Sequence, residues 1–247
     1  DDTVLVSVMH ANNEIGTLQP IAELTALAHA RGALLHTDAA QSAGKLPIDV
    51  AAWQVDLLTL AGHKFFAPKG VGALYIRPGT PIQPILFGAG HECGRRPGTE
   101  NVALIVGLGA AAALAARQLP ALTDHLRARR DALHAQLAAA IPGLMLNGHA
   151  EHRLPNTLNL SFPGIDGRAL LAATPAVAAS VGSACHADSA AVSGVLGALG
   201  VGLDRARAAV RLSIGAPTTV AEIEEAAAAL IASWRLLTQA APSHSTP

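Results

Sequence analysis

One amine and one carboxylate, each following a short apolar run, carry the most chemical information in this chain. Lys64 stands in Gly62-His63-Lys64, directly after the run 55–60, and Asp38 stands in His36-Thr37-Asp38-Ala39-Ala40-Gln41, after the run 33–35. A lysine nucleophile must spend part of its time neutral, which needs desolvation or a neighbouring cation. Such an amine can hold a carbonyl cofactor as a Schiff base, while a carboxylate keeps a ring nitrogen protonated and makes the ring a better electron sink. Taken singly, each residue has a plainer reading. A lysine after a strand is ordinarily solvated, and an aspartate there commonly caps a helix.

The elements that must position the pair alternate along the chain. Runs at 3–9, 33–37, 55–60 and 72–77 read as strands, and Pro20 opens a helix over 20–31 that Gly32 ends. Strands alternating with helices imply a mainly parallel α/β sheet, in which ligands collect beyond the carboxyl ends of the strands. Asp38 and Lys64 both fall at such ends. Segment 78–100 is rich in Gly and Pro and reads as a long functional loop. Helices are expected at 101–118 and 122–140, separated at Pro120. A smaller α+β domain then follows, with strands at 144–146, 157–162, 177–181 and 210–214 and helices at Gly167–Ala173, 190–199 and 220–237. The expected division is 1–119 for the larger domain, 120–239 for the smaller, and a disordered polar tail at 240–247.

Two further residues invite chemistry. Cys185 lies in Gly182-Ser183-Ala184-Cys185-His186, between a predicted strand and helix, where a helix N-terminus and His186 would favour the thiolate. A buried structural cysteine is the ordinary alternative. Arg211 interrupts the apolar strand Val210-Arg211-Leu212, and a guanidinium there needs an anion. That anion is either a structural carboxylate or a ligand.

Composition narrows the class. Apolar residues make up 51% of the 247, enough for a sizeable core, and the formal net charge of -1 argues against a nucleic-acid partner. The two cysteines, Cys93 and Cys185, do not make a disulfide framework, and free thiols suit a reducing, cytoplasmic setting. No signal peptide is read at the polar start, and the longest apolar stretch, 102–116, reads as a buried helix rather than a membrane span.

Five motifs occur in order: His10-Ala11-Asn12-Asn13-Glu14-Ile15-Gly16, His36-Thr37-Asp38-Ala39-Ala40-Gln41-Ser42, Gly62-His63-Lys64, Arg96-Pro97-Gly98-Thr99-Glu100-Asn101 and Gly182-Ser183-Ala184-Cys185. Together the chain resembles the pyridoxal-phosphate-dependent cysteine desulfurases of the class V aminotransferase superfamily, and the related selenocysteine lyases. The resemblance implies part of a fold type I large domain plus the small C-terminal domain, with further chain upstream. It implies pyridoxal 5'-phosphate as cofactor, Lys64 as its Schiff-base lysine, and Asp38 on the ring nitrogen. By the same resemblance Gln41 meets the phenolic oxygen, His63 the phosphate, and Thr99 the phosphate of a partner subunit, hence a homodimer. Asn13 would lie beside substrate and ring, Arg211 on the substrate carboxylate, and Cys185 would accept sulfur for iron–sulfur assembly or another acceptor protein. Ala61 stands where many desulfurases carry a serine, and Cys185-His186 is shared with selenocysteine lyases, so that activity is the alternative. A non-catalytic scaffold is a third reading. Neither a metal nor a membrane partner is expected.

Overall fold

Five-residue segments that carry or begin in apolar runs form β1 (Leu5–Met9), β2 (Leu34–Asp38), β3 (Leu57–Ala61) and β4 (Gly72–Ile76), which lie side by side in that order in one sheet. The structure, a computed structural model, describes residues 2–182 and 193–240. β1, β2 and β3 run parallel, while β4 returns antiparallel to β3. The parallel pairs require crossovers. The first is made by α1 (Ile21–His29), with Pro20 before it and Gly32 in the left-handed region (φ +74°) after it. Pro20 suits the place because its fixed φ matches the helix start and its missing N–H has no partner to lose. The second contains the short α2 (Val50–Trp53), whose cap Asp49 accepts hydrogen bonds from the Ala51 and Ala52 N–H groups. Ile21, Ala28, Leu35, Val55 and Leu58 form the core of this layer.

Residues Asp1–Ala11 and Gln19–Leu119 make one compact unit, and Asn12–Leu18 and Pro120–Pro247 make the other. In sequence, 12–18 falls inside the larger domain; in space it joins the second unit. That unit has an antiparallel sheet of β5 (Met145–Leu146), β6 (Thr157–Ser161) and β7 (Ala209–Ser213). Its helices are the later part of α3 (Val102–Ala140), then α4 (Gly167–Ala173), α5 (Gly194–Ala198), α6 (Leu203–Arg207) and α7 (Val220–Ala240). Leu126, Leu133 and Leu137 lie along one stripe of α3 and pack with Leu158, Leu160, Phe162, Val210, Leu212 and Leu230. All five β6 residues are buried, so its polar positions need partners. Asn147 Nδ2 donates to Asn159 Oδ1 and Ser161 Oγ, each at 2.8 Å.

The α/β class holds, and several local expectations do not. The helices expected on either side of Pro120 are one 39-residue helix with Pro120 inside it. A proline removes one hydrogen bond and crowds one carbonyl, a local penalty that the long helical runs on both sides outweigh. The first part of that helix is not buried: Val102, Ile105 and Val106 are exposed, and only 6% of its most apolar window is buried. Among the described residues it is the one helix long and apolar enough to cross a membrane by length and composition. Segment 177–181 is not a strand; Ser180 makes an isolated bridge to Arg211. α6 had no sequence signal strong enough to read. The expected tail falls outside the described residues, apart from Ala240, which ends α7.

One buried ionic group fastens α1 to the first sheet. Asp56 is 5% exposed, and its carboxylate accepts hydrogen bonds from His29 Nε2 at 2.7 Å and from the Leu35 N–H at 2.8 Å, with Arg77 Nη1 at 3.9 Å. Burial pushes its pKa up, but the hydrogen bonds and the charges of His29 and Arg77 outweigh burial and hold it below the usual carboxylate range. A depressed folded-state pKa contributes stability above the unfolded value, and that stability is lost as pH falls through the folded one. Asp56→Asn is therefore expected to lower unfolding free energy at pH 7 by about 2–3 kcal/mol. In urea titrations, its deficit against the unsubstituted chain should shrink as pH falls below about 4.

Candidate active site

The first unit holds Asp38, Gln41, His63, Lys64 and Thr99. Asp38 is the last residue of β2, paired in register with Met9 of β1 and Thr59 of β3. Lys64 sits in the 3-10 turn Gly62–Phe65, which begins directly after β3. Parallel neighbours lie about 4.8 Å apart, so the two strands deliver the carboxylate and the amine to the same end of the sheet. Both residues are exposed. The Asp38 side chain is aimed by its own turn: Oδ1 accepts the Ala40 N–H at 2.7 Å. His36, two residues back and on the same strand face, shares a 2.7 Å hydrogen bond with Ser7 Oγ. Burial lowers the His36 pKa, and the Asp38 charge partly opposes this.

Glycines set how closely the chain can pass around Lys64. Gly62 is buried, and a Cβ there would meet the Val71 carbonyl oxygen at 2.8 Å and Leu108 Cδ1 at 3.1 Å. Gly44, with φ +73°, brings the turn after β2 against Phe65, whose Cβ would lie 2.7 Å from an added methyl. His63 is exposed beside Lys64, Gln41 is half-buried in the turn after β2, and Thr99 is exposed in the loop before α3. Cys93 is a free, exposed thiol.

The second unit holds Asn13 and Arg211. Arg211 sits mid-strand in β7 opposite Asn159 of β6. Its Nη1 donates to the Asn13 carbonyl at 3.0 Å, while its buried Nε meets no hydrogen-bond partner among the described residues. A buried donor in that condition fits an anion such as a carboxylate, which accepts two parallel N–H bonds. The Asn13 segment is tied down on both sides. Asn12 Oδ1 accepts the Glu14 and Ile15 N–H groups, Asn159 Nδ2 donates to the Glu14 carbonyl at 3.3 Å, and Arg153 Nη2 donates to the Ile15 carbonyl at 3.4 Å. The Glu14 carboxylate accepts the Ser193 hydroxyl at 2.5 Å. Cys185 and His186 lie outside the described residues.

Asp38 and Lys64 stand at strand ends and Arg211 within a strand, the positions read from the sequence. His36 and Glu14 stand in the motifs with no role assigned to them, and the sequence does not single out Lys45; the contacts of all three run between segments distant in sequence. A charged residue among apolar neighbours, as at Lys45, was the only available signal.

The family model described as "Aminotransferase class-V" matches residues 1–225. Cysteine desulfurase IscS of Anaeromyxobacter sp. (strain Fw109-5) is 44% identical over 244 residues, covering 98% of this chain and 60% of that protein. Cysteine desulfurase NifS of Azotobacter vinelandii is 46% identical over 227 residues, covering 91% of this chain and 56% of that protein. Among solved structures, a NifS-like protein matches with a TM-score of 0.85 at 35% identity, covering 97% of this chain and 62% of the other. A NifS-like protein from Rickettsia africae matches at a TM-score of 0.82 and 31% identity, covering 96% of this chain and 62% of the other. The chain thus spans about 60% of the length of such relatives.

Gly62→Ala forces a methyl against a backbone oxygen that cannot turn away. It is expected to cost about 1–3 kcal/mol and to lower the thermal midpoint, whereas Gly90→Ala, where nothing lies within 4 Å of the added methyl, should leave the midpoint nearly unchanged.

Proposed function

The chain belongs to the aminotransferase class-V family, and from that premise we propose that the whole protein is a pyridoxal-phosphate-dependent cysteine desulfurase. The observation that carries the reading is the delivery of Asp38 and Lys64 to the carboxyl ends of adjacent parallel strands. The donor set fits the cofactor: an exposed amine for the carbonyl carbon, an exposed carboxylate for the ring nitrogen, and His63 beside the amine for the phosphate. When bound, pyridoxal phosphate supplies a carbonyl for the substrate amine and an electron sink for charge developing at Cα.

The chain's own residues do the rest. Lys64 Nζ would hold the cofactor's carbonyl carbon, and the same amine is placed to move the substrate Cα proton. Asp38 keeps the ring nitrogen protonated, Gln41 hydrogen-bonds the phenolic oxygen, and Asn13 lies beside the substrate. Arg211 forks onto the α-carboxylate, a role supported by its buried Nε, which has no hydrogen-bond partner among the described residues. The Cys185 thiolate attacks the substrate sulfur; the S–S bond of a persulfide forms as the Cβ–S bond breaks, the electron pair stays with the carbon skeleton, and protonation there lets it leave as alanine. The persulfide then hands its sulfur to an acceptor protein of iron–sulfur assembly.

The protein works as a homodimer in the cytoplasm, with Thr99 reaching the phosphate of the second copy. Support comes from the stretch of chain on either side of Thr99: Ile85 is 92% exposed and Phe87 89% exposed, and Val102, Ile105 and Val106 are exposed on the apolar start of α3. Exposed large apolar side chains of this kind ordinarily mark an interface, and a second copy would cover them.

Product analysis on the full-length protein with cysteine and with selenocysteine tests the reading. Alanine and sulfide are expected from cysteine. Cys185→Ala should keep the visible cofactor absorbance but lose at least about a hundredfold in sulfur release. Arg211→Lys, which cannot fork, should raise KM for cysteine by about ten- to a hundredfold. Selenium release that survives Cys185→Ala, with negligible cysteine turnover, would replace the reading with a selenocysteine lyase. No cofactor absorbance in the full-length protein would leave only a scaffold.

A further inference from the structure

Lys45 takes no part in the mechanism above, yet it lies half-buried at the meeting point of the two segments that carry the cofactor-facing groups. Its Nζ donates to the Gln41 carbonyl at 3.0 Å and to the Lys64 carbonyl at 3.3 Å. The first oxygen belongs to the turn that follows Asp38, and the second to the 3-10 turn that follows β3. The adjacent residue makes the same junction sterically, since Gly44 packs so closely on Phe65 that no Cβ fits. Two consecutive residues thus fasten the turn after β2 to the turn that presents Lys64.

We propose that Lys45 is a positioning residue whose amine, bridging the Gln41 and Lys64 carbonyls, locks the Asp38–Gln41 turn to the Lys64 turn and so fixes the ring-nitrogen carboxylate and the Schiff-base amine relative to each other. The catalytic roles of Asp38 and Lys64 in this statement rest on the functional reading above; the lock itself rests on geometry alone. The physical need for it is plain. Both functional side chains are exposed at strand ends, where no core packing holds them. Catalytic groups displaced by about 1 Å can lose about a hundredfold in rate, so a cross-turn fastening has something to protect. A cationic donor suits the task, because hydrogen bonds from charged groups are stronger than neutral ones and two carbonyl dipoles favour the charge.

The surroundings make the arrangement more than a surface contact. Burial, and then the positive charge of Lys64, lower the Lys45 pKa to about 8. A lysine held at this cost in solvation is held by specific contacts rather than by solvent. Arginine is the one substitution that keeps a long cationic donor in place. Methionine keeps the aliphatic stem and removes the donor, and glutamine keeps a shorter neutral donor.

The test uses the full-length protein in four forms: unsubstituted, Lys45→Met, Lys45→Arg and, as an exposed control, Lys69→Met. Amide hydrogen exchange is read first, without cofactor, on peptides covering 39–46 and 61–67. Lys45→Met is expected to speed exchange by about tenfold or more in both peptides together. Lys45→Arg should restore most of the protection, and Lys69→Met should leave it unchanged. If Lys45→Met fails to fold, Lys45→Gln replaces it with the same expectation. With cofactor and cysteine, kcat should fall at least about tenfold in Lys45→Met with KM within about twofold, and Lys45→Arg should recover kcat. Faster exchange confined to 39–46 would overturn the proposal, because Lys45 would then only cap its own turn. Failure of arginine to restore protection, or a loss expressed in KM with kcat intact, would overturn it as well. A full-length protein inert toward cysteine would sink the functional reading alone, and the exchange data would still decide the lock.

Discussion

Parallel pairing of β2 with β3 is the constraint on which the first unit depends. Two parallel strands end on the same side of their sheet, so whatever follows each strand is delivered to one edge at a spacing set by the ladder. The register Asp38↔Thr59 puts the carboxylate two residues short of the end of β3, and the Lys64 turn starts at the next residue after that strand. Everything local serves that placement. α1 exists because a parallel connection needs a crossover, and Asp56 ties α1 to the sheet with hydrogen bonds from His29 and Leu35. Gly62 is glycine because Val71 leaves no room, and Gly44 is glycine because Phe65 leaves none.

The second unit solves a different problem, that of holding a guanidinium inside a buried sheet. Arg211 is acceptable in β7 because Asn13 supplies a carbonyl to one of its nitrogens, and Asn13 is available because segment 12–18 packs with this unit rather than with the strands that flank it in sequence. The segment keeps its shape through Asn12, Asn159, Arg153 and Ser193. Asn13 and Arg211 therefore belong to one structural body, although 198 residues separate them.

Much of this was legible in the sequence where the signal is local. Short apolar runs gave the strands to within a residue or two, Pro20 and Gly32 bracketed α1, and the positions of Lys64 and Asp38 after their runs followed directly. What could not be read depended on partners distant in sequence. Pro120 looked like a break because its penalty is local and its compensation lies in the turns on either side. Segment 177–181 has strand-like residues, but a strand also needs a ladder, and among the described residues Ser180 alone of this segment finds a bridge, to Arg211. The start of α3 looked like a core helix because it is apolar, yet apolarity does not say whether a helix meets its own core or another surface. Lys45 carried no readable role, since its meaning lies in two carbonyl oxygens, one of them 19 residues away.

The most direct test of the account is to trap the cofactor on the full-length protein. Incubation with pyridoxal phosphate, borohydride reduction and peptide mapping should place a single pyridoxyl adduct on Lys64. A label found instead on Lys45 or Lys69, or no stoichiometric label at all, would contradict the claim that the β2 and β3 ends build a Schiff-base site.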